Sequence, residues 1–485
     1  MIIFRFFDEL VEQDMNCKQL LLFFFLVQSI FLHAELKLNS MLKNNMVMQR
    51  NSEVRIWGKA NPNQRVFVKS SWDNKEINTL ADNNGKWLLK IKTKEAGGPY
   101  RINVEAGKEK ITLENILLGD VWICSGQSNM QMPVQGFNDE PVIGSNNILL
   151  NSVNKNIRLF ALSRVGNNAP QDTCTGAWKE ANSQSVASFS VVGYLFAKEL
   201  NDHLNIPIGI ISTSWGGSNI ETWMDEEALM KFPEAYAKTN KESAPVNQRA
   251  CQLYNAMIAP IINYNIKGVI WYQGESNIDN YKDYPMLQKS MVESWRRDFN
   301  VGEFPFFFVQ IAPYSYGNSK SYYSALQRES QLKSVDLIPN SAIAITLDIG
   351  DEKSIHPSEK VTVAKRLAYC AFAKTYNFAH VKYLPGKFQK MEVKDSVAVL
   401  TLDNADTGFS TFGKEVSCFE IASDDQIFYP ANMLIKHMQI HVWSDQVKKP
   451  VAVRYAFSNV PQTQGYLYNS EGIPVPSFRT DDWIK

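Results

Sequence analysis

Apolar and polar positions alternate in short runs from residue 35 to about 115. "VRIWGKA", "RVFVKSSW", "KWLLKIKT" and "YRINVEA" show this two-residue rhythm, and turn residues in "NPNQ", "DNNG" and "EAGGP" interrupt it. A period of two belongs to a strand buried on one face, which predicts a small β-sandwich over 35–115. From 116 to 378 the rhythm changes. Short apolar runs ("DVWICSG", "IRLFAL", "IPIGIISTS", "KGVIWYQG", "FPFFFVQIA", "SAIAITLD") alternate with helix-length amphipathic stretches such as "SFSVVGYLFAKELNDHL", "YKDYPMLQKSMVESWRRDF" and "HPSEKVTVAKRLAYCAFAKTY". Runs of that kind are strands buried on both faces, and helical crossovers between them make neighbouring strands parallel. The pattern predicts an α/β fold, a three-layer α/β/α domain around a parallel sheet, with residues 224–259 as a helical excursion. After 378 the period of two returns in "SVAVLTL", "CFEIA", "MQIHVWS" and "VAVRYAFS", which predicts a second β module over 379–485.

Composition narrows the function classes. The chain has 485 residues, 45% hydrophobic and 21% charged, which excludes a disordered or collagen-like protein and suits two or three compact units. Fifty basic residues balance fifty acidic ones and no basic run forms a phosphate-binding stripe, so nucleic acid is not an expected partner. "LLLFFFLVQSIFL", from Leu20 to Leu32, is the length of a signal-peptide core and too short for a membrane span. Cleavage after Ala34 leaves Glu35 as the first mature residue, and a start at Met15 gives a more compact leader than the acidic segment before it. The expectation is an exported protein, periplasmic or secreted, with no membrane span in the mature chain. Its five remaining cysteines, Cys124, Cys174, Cys251, Cys370 and Cys418, show no metal-ligand or redox spacing.

Loops that leave the carboxyl ends of parallel strands converge on one crevice, and four such loops carry chemistry. "CSGQSNM" presents Ser128 just past a strand, after a glycine that permits a tight turn. "STSWGGSN" offers Gly216 and Gly217, whose backbone N–H groups suit a developing oxyanion. "WYQGESN" offers the Gln273 amide as a further donor and Glu275 as an orienting carboxylate. "LDIGDEKSIHPSEK" places His356 between a strand and a helix, whereas His203, His380, His437 and His441 lie away from the sheet loops. Each loop alone is ordinary turn chemistry. Together they supply a nucleophile, a base and oxyanion donors, the set that acyl transfer from an ester needs.

At these positions the chain resembles the SGNH-type esterases and, among them, the sialate O-acetylesterase family of carbohydrate esterases. "GDVWICSGQSNM", "SWGGSNIETW", "WYQGESN", "SIHPSEK" and the closing "LYNSEGIPVPSFRTDDW" follow the family's order. The resemblance implies removal of acetyl groups from sugars without metal or cofactor, on an O-acetylated glycan or sialic acid. It makes Ser128 the nucleophile, His356 the general base, and the Ser128 and Gly216 N–H groups with the Gln273 amide the oxyanion donors. Gly217 is the second candidate for the glycine donor. Many such esterases place an aspartate three residues before the histidine, where this chain has Lys353. Asp351, on the same loop, is the preferred substitute, and Asp348, Glu275 or a backbone carbonyl could take its place. Acetylated xylan or another plant polysaccharide is the rival substrate, and a non-catalytic carbohydrate-binding protein the rival class. A sialate site calls for an arginine to meet the sugar carboxylate, and Arg164 and Arg328 lie near the loops. The oligomeric state has no sequence signal.

Overall fold

The computed structural model describes residues 35–405 and 407–483. The leader expected over residues 1–34 lies outside them. The central sheet comprises β1 (Glu109–Gly126), β2 (Asn154–Ala161), β3 (Trp178–Ala181), β4 (Ile208–Ser214), β5 (Gly268–Tyr272), β6 (Phe306–Val309) and β7 (Ser341–Ala344). Their order is β3-β2-β4-β1-β5-β6-β7. All neighbours are parallel except β3, a short edge strand antiparallel to β2. Four long helices cover the sheet: α1 (Val191–Leu204), α2 (Tyr284–Phe299), α3 (Tyr323–Leu337) and α4 (Val361–Lys374).

Alternation along the strands sorts side chains between the two helical layers. On β1, Trp122 and Cys124 join the cluster built by α1 and α4, while Val121 and Ile123 join the cluster that contains Leu287 and Trp295 of α2. On β5, Ile270 and Tyr272 follow the first pair, and Val269 and Trp271 the second. A strand buried on both faces has no polar positions to give, which is why the sequence shows these strands as continuous apolar runs.

The strand β1 is far longer than its apolar run. Its first half closes an antiparallel sheet with Gly97–Ala106 and pairs in parallel with Val47–Gln49, and its second half is the centre of the parallel sheet. The expected boundary between residues 115 and 116 therefore falls inside one continuous strand. Alternation reports which faces are buried, and it does not reveal that one strand passes from a half-buried sheet into a fully buried one.

The N-terminal strands form one separate three-stranded sheet and an antiparallel extension of the central sheet along β1, and their inward residues Val54, Ile56, Val66, Val68, Ile102 and Val104 share one buried cluster. The C-terminal strands form separate antiparallel sheets, and among the described residues none pairs with an N-terminal strand. Arg328 of α3 is fully buried where this module docks, and its guanidinium donates to the Ser477 hydroxyl and to the carbonyls of Ala456 and Ser458. It is a tie between modules, out of reach of a sugar carboxylate. Arg164 is exposed on a loop. All five described cysteines are free thiols. No helix among the described residues is long and apolar enough to cross a membrane.

Candidate active site

After β1 the chain crosses to β2 and β4 on one side, then to β5, β6 and β7 on the other. The carboxyl end of β1 is therefore the switch point where a crevice opens in an open α/β sheet. Gly126 ends β1 in register with Ser214 and Tyr272, the last residues of the strands on either side. Its φ is +132°, and a Cβ there would lie 2.1 Å from the Tyr272 carbonyl oxygen, so no larger residue fits. Gln127 caps a single helical turn, Ser128–Gln131, and its side-chain carbonyl accepts the N–H groups of Gly274 at 3.2 Å and Ser276 at 3.3 Å. Ser128 opens that turn half-buried, and its hydroxyl makes no hydrogen bond among the described residues.

The two glycines after β4 divide the work. Gly216 lies against the serine, because a Cβ built on it would stand 3.2 Å from the Ser128 Cβ. Gly217 takes a φ of +70° that a larger residue adopts only under strain. The Gly216 N–H donates to the side-chain carbonyl of Gln131 at 2.6 Å. The helical excursion, to which the sequence assigned no chemistry, braces this loop: Asn247 and Gln248 donate to the carbonyls of Gly216 and Gly217.

Gln273 does not turn its amide towards the serine. It is fully buried, its NH2 donates to the Ser218 carbonyl at 3.2 Å and the Asn277 side chain at 2.7 Å, and its carbonyl accepts the Tyr284 hydroxyl at 2.8 Å. Both donor hydrogens are used within the fold in this arrangement. Gln273 instead ties the β4 and β5 loops together.

His356 lies on the loop between β7 and α4. The helix begins at Val361, later than the sequence pattern places it. The imidazole Nδ1 is 2.7 Å from Glu140 Oε2, the Phe137 ring packs edge-on at 5.3 Å, and Nε2 is buried without a partner among the described residues. Burial lowers the imidazole pKa, opposed by the Glu140 hydrogen bond and charge, while the charge of Lys360 lowers it further. Phe137 and Glu140 come from one tight turn, in which each backbone N–H donates to the other's carbonyl.

Glu140 replaces the expected Asp351. Asp351 is exposed and spends its carboxylate on the N–H groups of Lys353 and Ser354, as a short polar side chain does at a turn. Asp348 and Glu275 do not orient the imidazole either. Asp348 grips the Arg366 guanidinium through both oxygens at 2.7 Å, and Glu275 accepts the Asn129 amide at 2.5 Å. Glu140 sits 216 residues before His356 in a stretch with neither helical nor strand period, so no sequence signal pointed to it.

A shared bond holds the serine and histidine loops together: the side-chain amide of Asn129, next to Ser128, donates to the carbonyl of Ile355, next to His356, at 3.0 Å. The arrangement supplies a hydroxyl, a half-buried imidazole paired with a carboxylate, and a glycine packed against the serine. Those parts fit acyl transfer.

Comparison with known proteins agrees with this chemistry. Residues 118–373, more than half of the chain, match the family described as carbohydrate esterase, sialic acid-specific acetylesterase. A sialate O-acetylesterase from Mus musculus is 30% identical across 90% of this chain and 93% of its own length. The Homo sapiens sialate O-acetylesterase is 29% identical, with 90% of this chain and 91% of that protein covered. A crystal structure of a carbohydrate acetylesterase from Xanthomonas citri superposes with a TM-score of 0.84 at 34% identity, covering 92% of this chain and all of that one. With a family match over the core and relatives aligned from the N-terminal module to the tail, this chain belongs to the sialic acid-specific acetylesterase family of carbohydrate esterases.

Proposed function

We propose that this protein is a serine O-acetylesterase that removes acetyl groups from sugar hydroxyls, with O-acetylated sialic acid as its first substrate. The observation that carries the proposal is the half-buried imidazole of His356, paired at Nδ1 with Glu140 and with a buried Nε2 that has no partner among the described residues, on a loop tied to the Ser128 turn. The names of the relatives support the substrate class.

In the proposed reaction His356 Nε2 takes the Ser128 proton as the hydroxyl oxygen attacks the acetyl carbonyl. Glu140 holds the Nδ1–H tautomer and stabilises the imidazolium that forms. The oxyanion rests on the N–H groups of Ser128 and Gly216, the Gln131 side chain giving way to the substrate carbonyl. Collapse breaks the bond to the sugar oxygen, which takes the proton from His356 and leaves as a hydroxyl, and an acetyl-enzyme remains. His356 then takes a proton from water as its oxygen attacks the acetyl-enzyme, and returns that proton to Ser128 Oγ as the second tetrahedral intermediate collapses and releases acetate.

The test is acetate release by the protein and its Ser128→Ala variant, on O-acetylated sialic acid, acetylated xylan and an aryl acetate in parallel. Release that disappears in the variant and is fastest on the sialic acid is the expected result. Faster release from xylan would move the substrate to plant polysaccharide. No release from any of the three would overturn the esterase reading in favour of carbohydrate binding alone. The leader-like segment at residues 20–32 supports export, which N-terminal sequencing of a secreted chain beginning at Glu35 would test.

A further inference from the structure

Lys360 breaks two local rules at once. Its side chain is fully buried, and it stands at the amino end of α4, where the helix dipole disfavours a cation. Residues that violate local preference cluster at functional sites. The ammonium donates to the Asn129 side-chain carbonyl at 2.5 Å and lies 5.6 Å from the centre of the Tyr272 ring. The other end of the same Asn129 amide donates to Glu275 at 2.5 Å and to the Ile355 carbonyl at 3.0 Å. One amide, adjacent to Ser128, is thus held between a buried cation and a buried carboxylate. Glu275 Oε2 and the Tyr272 hydroxyl are buried without partners among the described residues.

We propose that Lys360 is a positioning residue for ester cleavage: by gripping Asn129 it locks the Ser128 turn, the Glu275 loop and the His356 loop in one arrangement and sets a positive charge beside the imidazole. The inference rests on the assignment of Ser128 and His356 above. The charged and titratable groups around Lys360 are Glu275 from the β5 loop, Glu140 from the Phe137 turn, Tyr272 from β5 and His356 from its own loop. Burial pushes the Lys360 pKa down to about 7, opposed by the charges of Glu275 and Glu140, so the ammonium is charged over the acid range in which His356 titrates. There it opposes protonation of the imidazole and keeps the base available.

The test compares Lys360→Met, Lys360→Arg and the double variant Lys360→Met with Glu275→Gln, which leaves no buried carboxylate without its cation. Circular dichroism reports folding, and kcat and KM on an aryl acetate are followed from pH 4.5 to 8.5. In the folded methionine variants kcat is expected to fall by about tenfold to a hundredfold with KM within about twofold, because alignment of reacting groups is lost and binding is not. The acid limb is expected to move to higher pH in both methionine variants and to stay in place in Lys360→Arg, a shift that a merely structural role would not produce. Unchanged kcat and acid limb in a folded methionine variant would overturn the proposal. Failure of both methionine variants to fold would also overturn it, since Lys360 would then serve the fold alone. Ser128→Ala, measured alongside, separates the two levels: turnover that survives it refutes the serine assignment, whereas turnover that it abolishes leaves only the Lys360 inference at stake.

Discussion

Replacing Glu140 by glutamine removes a charge from the imidazole and little else. The carboxylate sits 2.7 Å from Nδ1, with both side chains only partly exposed, and a glutamine carbonyl can accept the same N–H. What disappears is the attraction between a carboxylate and the imidazolium formed as Ser128 attacks. Two unit charges about 4 Å apart attract by about 4 kcal/mol at an effective dielectric of about 20. Residual solvent at this site weakens the attraction, and each 1.4 kcal/mol or so is tenfold in rate, so kcat should fall by roughly a hundredfold to a thousandfold. The pH profile supplies a second signature. Glu140 raises the imidazole pKa against the dominant effect of burial, so its loss should move the acid limb of kcat/KM to lower pH while the plateau drops. Steady-state hydrolysis of an aryl acetate across pH 4.5 to 8.5 reads both. A folded Glu140→Gln variant with kcat within about threefold of wild type, or an acid limb moved to higher pH, would refute the assignment.

Other consequences follow from the same geometry. Asp351→Asn should retain kcat within about threefold, because the asparagine carbonyl can still accept the Lys353 and Ser354 N–H groups; a hundredfold loss would restore Asp351 as the acidic partner. Gln273→Ala should show its main effect in urea denaturation, lowering stability by about 2–3 kcal/mol by stranding buried partners, and a large kcat loss at unchanged stability would return it to the oxyanion hole. In the wild-type enzyme, burial of His356 places the acid limb of kcat/KM below pH 6.5, since the imidazole stays neutral, and able to accept a proton, to lower pH than usual; a limb above pH 7 contradicts this. Gln131→Ala frees the Gly216 N–H from a competing carbonyl and should raise kcat/KM on a small ester about threefold to fivefold, the equivalent of one net hydrogen bond of about 1 kcal/mol, whereas a fall would show that Gln131 helps to hold the substrate.

Period and turn chemistry in the sequence were enough to place the parallel strands, the flanking β modules and the loops at the carboxyl ends of β1, β4, β5 and β7. A fully buried strand must be continuously apolar, and a residue such as Gly126 must be small where another backbone approaches it. These are local demands, written in local sequence. The loops of Ser128 and His356 belong to that class. What a side chain points at is decided by other parts of the chain, and only the tertiary structure supplied it. Glu140 reaches His356 from an irregular turn far upstream, while Asp351, five residues before the histidine, turns back onto its own backbone. Gln273 lies on a strand-end loop, as its sequence suggests, but Ser218, Asn277 and Tyr284 consume its hydrogen-bonding capacity before the crevice can use it. The sequence pattern gives Lys360 no role, and the fold buries its ammonium on the side-chain carbonyl of Asn129, whose amide in turn donates to Glu275. Hydrophobic periodicity fixes the address of a residue on an element, whereas hydrogen bonds between distant loops fix its chemistry, because each buried polar atom must be matched by whichever partner the fold brings within about 3 Å.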